Sequence, residues 1–432
     1  MGIKLGICGL NEFGRHFTPV FKAHPMVDEV VLSDLRKDAL EKSAKDFSIP
    51  RTVGSFDELL KTDVDAVALF TQRWAHGPMA VKALRAGKHV YSAVPAASTL
   101  EELSELIRAV DETGLVYAMG ETSYYRPQTI YCRKRFASGD FGDFVYGEGQ
   151  YHHDMEHGFY LPYKVTNGDA WKKFASCPPM LYPTHSVSHV LGVTFRKMTE
   201  VACFGRKDIH PDGIFKKDVS AWGNEFSDES GLFRTSDGGM ARINEFRRSG
   251  AGESRMTIIG TIGAYEEQHK TAVWTAWKRL EDNPKNGVFD YDNAQKMRVR
   301  VEEDLSAMRR FDMVKDDGIE ISEANLGALP REYLGRKHLG ACEQHPVERL
   351  PKEFVGLHNG HCGSHQFLVV DFLEAIRTGK LAPNNVWFSA RLNAPGIVAH
   401  ESAMRGGELM KIPDFGVPPE SAVYMDPLSV LR

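Results

Sequence analysis

The first 120 residues alternate short apolar runs with helical patterns, and this alternation restricts the possible folds most strongly. Residues 4–8 are an apolar run, and residues 12–23 place Phe13, Phe17, Val20 and Phe21 at helical spacing. Further strands are expected at 29–33, 65–71, 89–93 and 115–119, with helices at 37–46 and 76–86 between them. Gly87 closes the second of those helices, and Thr99 with Glu102 three residues later opens another through a capping box. Strands separated by helices of this length imply βαβ units and a parallel sheet.

Beyond Gly120 the texture changes. Alternating stretches at 143–153, 201–204, 230–234, 241–246, 256–260 and 271–277 predict a second sheet, mostly antiparallel. A polar stretch at about 280–337 reads as a surface insertion, and helices are expected at 367–377 and 389–406. A chain of 432 residues exceeds one comfortable core. The expected architecture is an α/β Rossmann domain over 1–122 and an α+β domain with a large open sheet over 123–432.

Composition narrows the class of partner. Lysine and arginine number 53 against 58 acidic residues, a net charge of −5 without a clustered basic excess, so no nucleic-acid surface is expected. No window is apolar enough to span a bilayer, and the N-terminus lacks the pattern of a signal peptide, so no membrane partner is expected. The six cysteines are scattered without a C-x-x-C pair, as in a reduced, cytoplasmic protein.

Gly9-Leu10-Asn11-Glu12-Phe13-Gly14 lies directly between the first strand and first helix, at the place of a G-x-G-x-x-G phosphate turn. Gly9 makes the turn and Gly14 allows close helix–strand packing. Asn11 replaces the middle glycine, and asparagine tolerates the left-handed backbone region. Asp34 ends the second strand, twenty residues beyond Gly14, where a carboxylate accepts from the adenosine ribose hydroxyls. It repels a 2′-phosphate, so NAD is favoured as cofactor over NADP.

With Gly87-Lys88-His89-Val90 on view, the chain resembles the Gfo/Idh/MocA oxidoreductases over most of its length. The resemblance implies that the turn Thr71-Gln72-Arg73-Trp74-Ala75-His76 lies along the cofactor, and it brings Thr71, Gln72, Trp74, His76, Pro95 and Glu121 into the cofactor site. The family segment G-K-H-V-x-x-E-K-P ends here in Ala93-Val94-Pro95, so the lysine that the family places beside the nicotinamide is missing. Tyr182-Pro183-Thr184-His185, Glu121 to Arg126 and Tyr151-His152-His153-Asp154 are similar to the branch containing the NAD-dependent α-N-acetylgalactosaminidases. That branch keeps a glutamate at Ala93 and follows its histidine with glycine, where Ser186 stands. The resemblance also implies a homodimer or homotetramer.

Oxidising a secondary alcohol removes a hydroxyl proton while hydride leaves, and an imidazole titrating near ~6.5 suits that task. His185, in the position of the family's aspartate, is the first candidate base, with Tyr182, Tyr124 and His189 as the others. Tyr124, Arg126, His153, Tyr182 and His185 are expected to line a substrate pocket. His361 and His365 stand four apart, but Gly363 predicts a loop before a helix at Ser364. Sugar contacts or capping therefore outweigh zinc, and no metal is expected. The resemblance points to oxidation of a sugar or glycoside at carbon 3. Two alternatives remain: a redox-neutral glycosidase or lyase working through transient oxidation, and a nicotinamide-binding regulator without catalysis.

Overall fold

The computed structural model describes residues 2–251, 254–279, 298–310 and 317–426. Its first sheet holds six parallel strands: β1 Ile3–Cys8, β2 Val27–Ser33, β3 Thr52–Val53, β4 Ala66–Leu69, β5 His89–Ser92 and β6 Tyr117–Met119, in the order β3-β2-β1-β4-β5-β6. This is the doubly wound dinucleotide order, which reverses between β1 and β4. Helices α1 Glu12–Ala23, α2 Lys37–Phe47, α3 Phe56–Leu60, α4 His76–Arg85 and α5 Leu100–Thr113 connect the strands. β1 and β4 are almost wholly buried and read as continuous apolar runs, as strands covered on both faces must. The short β3 and α3 have too few residues to show a period, and the sequence did not reveal them.

After α6 Pro127–Ala137 the chain enters a nine-stranded sheet. Its strands are β7 Phe144–His152, β8 Met198–Lys207, β9 Phe226–Thr235, β10 Met240–Phe246, β11 Ser254–Gly260, β12 Gly263–Glu267, β13 Ala272–Arg279, β14 Arg298–Asp304 and, at the far edge, β17 Met410–Lys411. Only β7 and β10 pair in parallel; the other neighbours are antiparallel. The expected polar insertion needs correcting here. Residues 298–304 are not a surface appendage but β14, paired with β13 from Val273–Asp304 to Arg279–Arg298. Charged residues disguised the strand because it lies at the sheet edge. The parts of that stretch at 280–297 and 311–316 fall outside the described residues.

One face of this sheet carries helices. α7 Leu161–Asn167 and α8 Trp171–Ala175 precede α9 Thr184–Thr194, which lies across β7. The approach is close because Gly149 lacks a side chain: a Cβ there would stand 1.9 Å from the Ser186 carbonyl oxygen. After α10 Ser306–Arg310 and the small β15–β16 pair (Gly318–Glu320, Lys337–Leu339) come α11 Gly360–Thr378 and α12 Val386–Met404. The chain there returns to the first sheet. Met119 N–H donates to Asn384 O at 2.9 Å, and Ala97 N–H donates to Asn393 Oδ1 at 2.9 Å. Both sheets share one apolar core, which fixes the second sheet's helices against the carboxyl ends of the first sheet's strands.

Candidate active site

Every strand of the first sheet that carries a predicted cofactor residue delivers it at its carboxyl end, where open α/β sheets bind their ligands. Gly9 follows β1 with φ +95°, and a Cβ there would meet the Phe70 carbonyl oxygen at 2.5 Å, so only glycine fits. Asn11 is not left-handed as expected. It sits extended (φ −67°, ψ 179°) and caps α1, its Oδ1 accepting from Gly14 N–H at 2.9 Å while its Nδ2 donates to Phe70 O at 2.6 Å. The cap satisfies Gly14 and leaves the amides of Glu12 and Phe13 at the open helix end, the arrangement that receives a phosphate. Glu12 is exposed in that first turn. Asp34 accepts from Leu10 N–H at 2.7 Å and from Arg36 N–H at 2.8 Å, which fixes its carboxylate beside the turn. These groups fit the two ends of an adenosine diphosphate.

The turn after β4, expected along the cofactor, is held by buried contacts of its own. The two ring nitrogens of His76 face Pro95 O at 2.9 Å and Thr71 O at 3.2 Å, between the ends of β4 and β5. Burial lowers its pKa to about 4, so the ring is neutral and its single N–H donates to one of these carbonyls. Trp74 stacks on Phe174 at 4.7 Å and meets Trp222 edge-on, in an aromatic cluster with the second domain. Thr71 Oγ1 rests on Met79 Sδ at 3.4 Å, and Gln72 opens the short turn Arg73–Ala75. Where the family lysine would stand, Val94 and Ala93 form a buried apolar wall.

Glu121, expected among the cofactor residues, has another partner. It follows β6, is wholly buried, and its Oε1 takes a hydrogen bond from His185 Nδ1 at 2.7 Å. His185 Nε2 in turn lies 3.2 Å from Tyr182 Oη. Burial alone would raise the Glu121 carboxyl, but the His185 ring and the hydrogen bonds it receives hold it below the ordinary value. A carboxylate on Nδ1 fixes the proton there, so Nε2 is left as the acceptor facing the tyrosine. The result is a carboxylate–imidazole–phenol relay, assembled from β6 of one sheet and α9 over the other.

Arg73 completes it, and sequence reasoning missed that residue. Its guanidinium lies 3.7 Å from the centre of the Tyr182 ring. Burial pushes the Tyr182 phenol up to about 12, against the opposing pull of Arg73, so the phenol stays protonated at neutral pH. Tyr151 also joins, its ring 4.9 Å from His185 and its hydroxyl 2.8 Å from His153 Nδ1. Burial, with Arg247 and Arg73 nearby, lowers His153 to about 3. Through Tyr151, His153 stands beside the same cluster as His185.

Three predicted residues lie elsewhere. Tyr124 is fully buried with Arg133 over its ring at 3.9 Å and its hydroxyl 3.4 Å from Asp426, packed against Tyr125 and Phe388. His189 and Arg126 pair instead with the start of β11: His189 Nε2 lies 2.7 Å from Ser254 Oγ, and Arg126 donates to that hydroxyl at 2.6 Å. A spacing of four aligned the two histidines of α9, but the lower turn of that helix meets the sheet rather than the relay. Among the described residues, no cluster of three or more histidine, cysteine or acidic residues is arranged to hold a metal.

Residues 3–121 match the family model described as an oxidoreductase family with an NAD-binding Rossmann fold. A glycosyl hydrolase family 109 protein of Saccharopolyspora erythraea is 28% identical over 200 residues, 44% of this chain and 43% of the relative. That match spans less than half of either protein. Another from Solibacter usitatus is 24% identical over 434 residues, 96% of this chain and 88% of the relative. Among solved structures, a levoglucosan dehydrogenase in complex with NADH and levoglucosan superimposes with a TM-score of 0.67 at 15% identity, covering 96% of this chain and 100% of that one.

Proposed function

We propose that this chain, a Gfo/Idh/MocA-type oxidoreductase by the Rossmann domain its residues 3–121 match, is an NAD-dependent enzyme that oxidises a ring hydroxyl of a sugar or glycoside at carbon 3. The observation that carries the reading is the Glu121–His185–Tyr182 relay, which stands at the carboxyl edge of the dinucleotide sheet. Bound NAD supplies the hydride acceptor. The chain's own residues move the proton: the substrate hydroxyl gives its proton to Tyr182 Oη as that phenol passes its own to His185 Nε2. A phenol held near 12 is a poor free base, so the transfer runs through it to the imidazole in one concerted step. Glu121 then balances the imidazolium. His153, Tyr151 and the apolar Ala93–Val94 wall shape the sugar's surroundings.

The glycosyl hydrolase relatives favour a second reading at the same site. A ketone at carbon 3 makes the carbon-2 hydrogen acidic. Its loss expels the anomeric substituent, water adds, and reduction restores the ring. Aryl pyranosides with less NAD than enzyme separate the two readings. Aglycone released far beyond the NAD present, without reduced cofactor accumulating, selects the redox-neutral glycosidase. Reduced cofactor formed with the glycoside intact selects the dehydrogenase. A chain that binds NAD and does neither with any pyranoside is the regulator, and the enzyme reading fails.

Two further parts of the reading rest on the surface and the thiols. The outer face of the large sheet exposes Phe204, Leu232, Met240 and Trp277, apolar side chains that favour a homodimer or homotetramer built on that face. None of the six cysteines is joined in a disulfide, which favours a cytoplasmic setting. No described helix is long and apolar enough to cross a membrane.

A further inference from the structure

Helix α11 does not begin as a helix. His361, Cys362 and Gly363 all lie in the left-handed region (φ 46°, 56° and 84°), and regular turns start only after them. Two non-glycine residues in succession hold a conformation that costs free energy, so the surrounding structure must fix it. The consequence is the placement of His361. Its ring meets Phe13, in the first turn of α1, edge-on at 5.3 Å. It also lies within electrostatic reach of His185 and Glu121. His361 is exposed to solvent. A dinucleotide with its adenosine ribose at Asp34 and its nicotinamide at the His185 relay must pass the open end of α1, and therefore His361.

The hydrogen bond behind this ring sets which nitrogen carries the proton. His361 Nδ1 and His365 Nε2 stand 2.8 Å apart and share one proton. Burial holds the His365 ring well below the ordinary value, so that ring is neutral. His365 is wholly buried and stacked on Phe17 at 4.1 Å, and its Nδ1 has no hydrogen-bond partner. That atom faces Gly360, where a Cβ would stand 2.9 Å away. If His361 were the donor, His365 would carry its proton on Nδ1, a buried N–H without an acceptor, which is the rarer and less favourable state. Hence His365 Nε2 donates, and His361 carries its proton on Nε2.

We propose that His361 is a cofactor-binding residue whose Nε2–H donates to the nicotinamide-side phosphate of NAD, with His365 as the positioning residue that sets its tautomer. The assignment rests on the reading of the first domain as a dinucleotide site. Equilibrium binding of NAD, ADP-ribose and AMP to the full chain tests it. AMP lacks the second phosphate and probes only the adenosine half. His361→Ala weakens NAD and ADP-ribose binding alike, by roughly ten-fold or more as expected for a hydrogen bond to a charged group, and leaves AMP binding unchanged. His361→Gln, which keeps an N–H donor, recovers most of that loss. Unchanged affinity for NAD and ADP-ribose in His361→Ala overturns the assignment, as does equal weakening of all three ligands, which signals disrupted structure. If the unaltered chain fails to bind NAD, the dinucleotide reading itself fails, a distinguishable outcome.

Discussion

Glu121, expected at the cofactor, hydrogen-bonds His185, and the two roles differ in a testable way. As a cofactor residue, it should affect NAD affinity when altered; as the partner of His185, it should affect turnover. Glu121→Gln keeps the shape but removes the charge that fixes the proton on Nδ1. We expect kcat to fall by roughly 10²–10⁴-fold, with NAD affinity by fluorescence titration within about two-fold of the unaltered chain. A reversed pattern, weak NAD binding with kcat retained, restores the cofactor role. Sequence reasoning found His185 and Tyr182 because they stand in one motif, Tyr182-Pro183-Thr184-His185. It missed that Glu121 is their third member because the two segments are 64 positions apart and meet only when α9 crosses the carboxyl edge of the first sheet. Arg73 escaped notice for a similar reason: its contact with Tyr182 joins the turn after β4 to the second domain.

The elements show where local pattern suffices and where it fails. β1, α1, β2 and the capped start of α5 were legible from periodicity and from Thr99, whose Oγ1 accepts from Glu102 N–H at 3.1 Å. β14 was illegible because its side chains are charged, and the pairing that makes it a strand comes from β13. The left-handed start of α11 was anticipated only as a loop before Ser364, because φ > 0 at His361 and Cys362 is imposed by packing. α9 is fixed at its first turn by Ser186, in the place where glycine is usual in the resembling branch. Its Oγ lies 2.5 Å from Glu245 Oε1 and donates to Pro183 O at 2.9 Å. Burial raises the Glu245 carboxyl to about 8 against the pull of Arg247, so the folded chain favours its protonated form, which can donate to Ser186 Oγ. A raised carboxyl pKa stabilises the fold below the unfolded value near ~4.5, and that stabilisation is lost as pH rises through about 8. Urea midpoints of the unaltered chain should therefore fall more steeply between about pH 5 and pH 8 than those of Glu245→Gln, which cannot ionise. Parallel slopes contradict the assignment.

For the whole molecule, the two sheets divide the work. The parallel sheet offers its carboxyl edge to a dinucleotide, the helical face of the large sheet brings Tyr182 and His185 to that edge, and the start of α11 sets His361 against α1. The opposite face is left open with Phe204 and Leu232 exposed. If that face joins subunits, Leu232→Glu with Phe204→Glu shifts the mass measured by light scattering to that of one chain, with NAD binding retained. An unchanged oligomer places the interface elsewhere.

In the proposed reaction the relay draws a proton from a sugar hydroxyl as hydride leaves its ring carbon. The most direct measurement is a single-turnover mixing experiment, with NAD-loaded enzyme and a panel of pyranosides carrying hydrogen or deuterium at carbon 3. The account predicts the absorbance of reduced nicotinamide appearing with at least one pyranoside, slower for the deuterated form, and abolished in His185→Ala although that variant still binds NAD. Reduction at full rate in His185→Ala, or an isotope effect only at another ring carbon, would contradict it.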